Sequence, residues 1–88
     1  MQTLEYKTKG TCSSKIRIEL DGDTVVSVVY TGGCNGNLQG ISKLVQGQNI
    51  YELIDRLSGI RCGFKDTSCP DQLARALKQA IAERENNA

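Results

Sequence analysis

The chain has 88 residues, of which eleven are basic and ten are acidic, so its formal net charge is +1. A chain this short cannot build two hydrophobic cores, so we expect a single domain over residues 1–88. The near-neutral charge lacks the basic footprint of proteins that bind nucleic acids or membrane surfaces. We therefore expect no nucleic acid and no membrane among its partners.

The N-terminal sequence and the cysteine content indicate a cellular compartment. Residues 1–10 alternate polar and apolar side chains without the apolar core of a secretion signal, and no stretch approaches the roughly 18 apolar residues of a membrane span. We therefore expect a cytoplasmic protein. Four cysteines in a reducing cytosol favour metal ligation or redox chemistry over structural disulfides. The chain has no histidine, which excludes Cys-His nucleophiles and histidine-bearing zinc sites.

The first thirty residues predict three strands. Leu4 and Tyr6 alternate with polar neighbours, and residues 15–20 repeat that alternation, which is the period of a half-buried strand. Asp21-Gly22 predicts a hairpin with a type I′ turn leading into the β-branched run of residues 24–30. The pattern therefore predicts a three-stranded antiparallel sheet.

Helices are predicted after a glycine-rich loop over residues 32–37. The first helix has an apolar stripe that ends at Gly47, and the second begins after the capping residue Asn49 and ends at Gly59. The stripe of the first helix consists of Leu38, Ile41, Leu44 and Val45.

A last helix is predicted to begin around residues 68–71, where proline suits the first turn, and to end in a frayed tail over residues 85–88. We interpret Asp66 and Asp71 as helix caps rather than proton acceptors. The predicted fold class is α+β, with the N-terminal sheet packed against about three helices.

Each cysteine falls at the boundary of a predicted element. Cys12 precedes a strand, Cys34 lies in the glycine loop, Cys62 precedes the last helix, and Cys69 lies at its start. Such boundaries can meet at one end of a domain, and four thiolates suit zinc or an iron–sulfur cluster. We predict all four as metal ligands, although the spacing is not the paired CxxC of a zinc ribbon. Redox thiols, or four unrelated buried thiols, are the alternatives.

Three sequence runs carry a family resemblance. TSCPDQLA at residues 67–74, GCNGNL at 33–38 and GIRCG at 59–63 resemble the TSCPD domain family, and the resemblance covers nearly the whole chain. In that family the domain occurs alone as a small bacterial protein and near the C-terminus of adenosylcobalamin-dependent ribonucleotide reductases. The resemblance implies a cysteine-bearing module associated with ribonucleotide reductase. A complete reductase is excluded, because 88 residues cannot form its radical-bearing barrel.

A more distant resemblance is to the IscU/NifU iron–sulfur scaffold family, and it implies an IscU-like fold. The three scaffold-cysteine positions are occupied, in the same order, by Cys12, Cys34 and Cys69. Two positions depart from that family, since its aspartate after the first cysteine is Ser14 here and its histidine before the third is Ser68. Cys62 is an additional thiol, so the resemblance is also compatible with a metal held permanently by four cysteines.

These observations lead to two functional predictions. The first is a zinc or iron–sulfur module, accessory or scaffold-like and not catalytic by itself, whose partner is ribonucleotide reductase or the iron–sulfur machinery. The second is a thiol–disulfide relay to the reductase, for which Cys62 and Cys69 would need Cα atoms about 4.4–6.8 Å apart. A structural zinc fold used for protein contacts differs from the first only in what binds its surface.

Overall fold

The computed structural model describes residues 1–9, 13–33, 35–61, 63 and 67–86. Three antiparallel strands form one sheet in the order β1-β2-β3, where β1 is Gln2–Lys7, β2 is Ser13–Asp21 and β3 is Thr24–Gly32. The predicted alternation is confirmed in β2, whose Ile16, Ile18 and Leu20 are fully buried between exposed or partly exposed neighbours. Each therefore contributes its whole side chain to the core, at about 1.5–3 kcal/mol per residue.

The turn between β2 and β3 differs from the predicted one. The turn residues are Gly22 and Asp23, because β2 extends through Asp21. Gly22 has φ +59° while Asp23 has a negative φ, and a type I′ turn requires positive φ at both central residues. The φ pattern is that of a type II′ turn, in which only the first central position needs glycine.

Three helices follow among the described residues: α1 is Asn35–Val45, α2 is Ile50–Leu57 and α3 is Cys69–Asn86. The predicted cap of α2 is confirmed, since the Asn49 side chain accepts hydrogen bonds from the N–H groups of Tyr51 and Glu52 at 2.9 and 3.2 Å. The predicted start of the last helix is also confirmed. The described chain is thus an α+β fold with a three-stranded antiparallel sheet.

Two expectations for α1 were wrong. The loop predicted over residues 32–37 is shorter, because α1 already begins at Asn35. Of the described residues in this stretch, only Gly32 and Gly33 have the positive φ values, +76° and +84°, that require glycine. Leu44 does not share the buried stripe and is 78% exposed. The buried face of α1 is centred on Leu38 and Val45, and Leu44 points about 100° away from Val45 on the helical wheel.

The core lies between the sheet and the helices. Its α3 contribution comes from one face of the helix, composed of Leu73, Ala76, Leu77 and Ala80. At the C-terminal end of α3, the Arg84 guanidinium donates hydrogen bonds to Gln2, Asp23 and the carbonyl of Gly22 at 2.6–3.0 Å. These bonds fix the C-terminal end of α3 to the sheet. The first turn of α3, which begins at Cys69, lies at the other end of the helix.

Candidate cysteine site

Cys69 is the first residue of α3 and is partly exposed. The Tyr30 hydroxyl, near the end of β3, donates a hydrogen bond to the Cys69 carbonyl oxygen at 3.3 Å. Burial raises the pKa of the Tyr30 phenol, and the negative charge of a Cys69 thiolate raises it further. The phenol therefore stays protonated, so this bond links β3 to the start of α3 at any physiological pH.

The first turn of α3 is capped by serine. The Ser68 hydroxyl accepts the N–H of Asp71 at 3.1 Å, which satisfies one of the helix donors that lack a partner within the helix. The prediction that Asp71 is the cap was therefore wrong, while Asp66 lies outside the described residues. The Ser68 cap thus fixes the backbone just before Cys69, and the first turn of α3 fixes the backbone that follows it.

Asp71 is buried and joins three parts of the chain. Its carboxylate accepts the N–H of Gly59 at 2.7 Å and the hydroxyl of Thr67, and it pairs with Arg75 at 3.0 Å. Burial opposes the charged form, but these hydrogen bonds and the arginine charge together hold the pKa of Asp71 below its ordinary value. The carboxylate is thus ionised at neutral pH and fully engaged by protein groups.

Gln72 joins the N-terminal segment to the same turn. Its side-chain amide donates to the Thr67 hydroxyl at 2.9 Å, and its carbonyl oxygen accepts the N–H of Lys9 at 3.1 Å. Thr67 in turn donates to Asp71, so the three side chains form one hydrogen-bonded chain. Among the described residues, every buried side-chain nitrogen and oxygen has a partner. The segment after β1 is therefore attached to the start of α3.

Cys69 is the only predicted ligand within the described part of the chain. The other three, Cys12, Cys34 and Cys62, lie outside the described residues. No group of three or more metal-ligating side chains occurs among the residues that are described. Described residues near two of them do come together, since Ser13, next to Cys12, pairs with Gly32, close to Cys34, across the sheet, and Tyr30 bonds to Cys69.

Sequence reasoning missed Tyr30, Thr67 and Gln72. Tyr30 is an aromatic residue in a strand, where core packing is the ordinary expectation. Gln72 is 1% exposed, and a glutamine in the first turn of a helix gives no sign that it will be buried. The TSCPDQ run itself was the available signal, because each of its polar residues makes a bond around Cys69.

The fold and this turn define a small α+β module with a cysteine at a helix start, held by buried polar contacts. The family model for the TSCPD domain matches residues 2–81, and the chain belongs to the TSCPD domain family. The predicted family is thereby confirmed. Comparison with curated proteins and with solved structures gave no significant match. Among the described residues, no helix is long and apolar enough to cross a membrane.

Proposed function

We propose that this protein is a small cytoplasmic accessory module that binds zinc or an iron–sulfur cluster. The proposed ligands are Cys12, Cys34, Cys62 and Cys69. The proposed partner is ribonucleotide reductase or the iron–sulfur machinery, and the module itself performs no catalysis. Membership of the TSCPD domain family supports a small accessory domain. We also propose that the fold is IscU-like.

The observation that carries the proposal is that two other chain segments contact the first turn of α3. Lys9, which precedes Cys12, bonds to Gln72 at 3.1 Å. Tyr30, which precedes Cys34, bonds to Cys69 at 3.3 Å. In the sequence, Cys12 is three residues after Lys9 and Cys34 is four residues after Tyr30. We propose that both cysteines reach the turn that carries Cys69.

Asp71 supports a site made of sulfur ligands. Its carboxylate is the nearest acidic group in sequence among the described residues, and Gly59, Thr67 and Arg75 already engage it. Oxygen-preferring ions such as Mg²⁺ and Ca²⁺ therefore gain no carboxylate from it. Thiolates favour zinc and iron–sulfur clusters. A bound zinc would supply a structural link between the segments, and a bound cluster would supply cargo or redox capacity.

Four single cysteine-to-serine variants test the proposal. A serine hydroxyl stays protonated at neutral pH and is a poor ligand for soft metals, so Cys12→Ser, Cys34→Ser and Cys69→Ser should each abolish binding. The measurement is metal content after anaerobic reconstitution, with zinc and separately with iron and sulfide. Thr3→Ser, an exposed change in β1, is the control and should bind as the wild type does.

The Cys62→Ser variant separates a closed site from an open one. Equal loss in all four variants indicates a closed, structural site of four thiolates. Partial retention in Cys62→Ser indicates an open, scaffold-like site with a position for a partner's ligand. Full retention in every variant contradicts the metal proposal and leaves the thiol–disulfide relay. The relay predicts a Cys62–Cys69 disulfide, detectable by mass spectrometry after peptide digestion under oxidising conditions.

A further inference from the structure

The outer edge of β3 is covered along its first part only. Val25 exchanges two backbone hydrogen bonds with the segment before α2, from Val25 N–H to Gln48 at 3.0 Å and from Gly47 N–H to Val25 at 2.7 Å. Ile50 N–H bonds to the Asp23 carbonyl at 2.9 Å. Over residues 26–30, the described structure has no backbone hydrogen bond on the side away from β2. The second part of β3 is thus an open strand edge.

This open edge lacks the usual protection against pairing. Natural edge strands carry charged residues or proline, which disfavour the addition of another strand. β3 has the sequence TVVSVVYTG, with no charge and no proline, and Val29 is 56% exposed. The other edge strand, β1, carries Glu5 and Lys7. The difference indicates that the edge of β3 is suited to receive a strand.

A groove of about 480 Å³ runs between this edge and α1. Its apolar side consists of Val28, Val29, Tyr30 and Leu38, and α1 supplies Gln39, Ser42 and Lys43. At one end lie the backbones of Gly32 and Gly33. Extended peptides bind other proteins in this way, with backbone bonds to a strand edge and side chains in the adjoining groove.

The charge of the groove favours an acidic occupant. Among the described residues that line it, Lys43 is the only charged one and none is a carboxylate, and Lys43 forms no ion pair with any described residue. The β3 strand of a second copy of this chain, TVVSVVYTG, carries no carboxylate that could pair with Lys43. A peptide carboxylate would instead pair with the Lys43 ammonium.

We propose that β3 and α1 bind an extended, apolar peptide segment of a partner protein that carries a carboxylate. The segment adds to residues 26–30 as a fourth strand, and its carboxylate pairs with Lys43. The β-branched, uncharged character of β3 favours β-branched residues in the segment. The proposal is independent of metal binding by the cysteines, and the metal-free, reduced protein therefore suffices for its test.

The probe is a phage-displayed library of random ten-residue peptides, selected on the immobilised full chain. We expect enrichment of sequences that combine β-branched residues with aspartate or glutamate. The best sequence is then synthesised with a fluorescent label, and its affinity is measured by anisotropy. In NMR spectra, the amide signals of residues 26–33 should shift when the peptide is added.

Two charge variants and two controls locate the site. Lys43→Glu should weaken binding about three- to tenfold, because an exposed attraction becomes a repulsion. Val29→Asp should weaken it at least as much, since it adds a repelling charge to the edge. The matched controls are Lys78→Glu, on the exposed surface of α3, and Leu44→Asp, at an exposed apolar residue of α1. Both controls should bind as the wild type does.

Three results would overturn the proposal. The first is a selection that yields no enriched sequence. The second is a selected peptide whose affinity is unchanged by Lys43→Glu and Val29→Asp. The third is a wild-type chain that forms a dimer in sedimentation experiments and becomes monomeric in Val29→Asp, because a second copy would then occupy the edge.

Discussion

Asp71, one residue of the TSCPD run, holds several parts of the chain at the first turn of α3. The carboxylate is buried, whereas its partner Arg75 is half exposed, so the pair is only partly shielded from solvent. The two hydrogen bonds from Gly59 and Thr67 compensate for the loss of water around the charge. The residue therefore fixes the α2–α3 connection against the first turn of α3.

Replacing Asp71 by asparagine should destabilise the fold by about 2 kcal/mol, because one buried acceptor is lost and the Arg75 charge loses its partner. The measurement is urea unfolding of the reduced, metal-free protein at neutral pH. Asp55→Asn, at an exposed carboxylate of α2, is the control and should change stability by less than about 0.5 kcal/mol. Equal effects of the two variants would contradict the role of Asp71.

The lowered pKa of Asp71 predicts a loss of stability in acid. A carboxyl group whose folded pKa lies below its ordinary value of 3.8 binds a proton more readily in the unfolded chain. Its contribution is therefore complete above about pH 5 and declines as the pH falls through 3.8 and below. Unfolding free energy measured from pH 7 to pH 2.5 should fall less steeply in Asp71→Asn than in the wild type. Parallel pH profiles would contradict the prediction.

Among the elements, helix α1 contains residues that disfavour a helix. It contains two glycines, Gly36 in its first turn and Gly40 in its interior, that have negative φ and would place an added Cβ in open space. Glycine within a helix costs about 1 kcal/mol relative to alanine. Neither backbone geometry nor packing among the described residues requires these two glycines.

Gly40→Ala should therefore raise the stability of the protein by about 0.5–1 kcal/mol. Gly47→Ala is the matched comparison, since Gly47 has φ +80° after the end of α1 and an alanine there is strained. It should lower stability by about 1 kcal/mol or more. Thermal unfolding of the two variants checks both signs. A destabilising Gly40→Ala would show that this glycine has a structural requirement.

The sequence predicted elements best where one local signal determined them. Alternation in β2 and the Asn49 cap of α2 both depend on neighbouring residues, and both are confirmed. The prediction that Leu44 belongs to the buried stripe of α1 was wrong, because the width of a buried helical face depends on what packs against it. The roles of Tyr30 and Gln72 depend on contacts between segments 39 and 63 residues apart, which no local pattern encodes.

In the whole molecule, the two ends of α3 make different kinds of contact with the rest of the chain. Its 18 residues span about 27 Å. Arg84 fixes one end to β1 and the β2–β3 turn, while the other end carries Cys69 and the buried polar contacts. In the proposed function, a metal adds further links at the cysteine end. Folding and metal binding should then be coupled.

Removal of a resident metal should therefore lower the melting temperature. A ligand present at about 1,000 times its Kd stabilises the folded state by about 4 kcal/mol, and 1 kcal/mol shifts the melting temperature of a domain this small by about 4–8 °C. We expect a chelator to lower it by more than about 10 °C. Metal-free protein treated with the same chelator is the control. An unchanged melting curve would contradict a resident metal and favour transient loading or the relay.

We propose one metal site per chain, formed by the four cysteines. Native mass spectrometry of protein purified without oxygen tests it most directly, combined with titration of accessible thiols. We expect a mass equal to the chain plus one zinc ion or one iron–sulfur cluster, with thiols that react only after metal removal. The bare mass of the chain with four freely reacting thiols would contradict it.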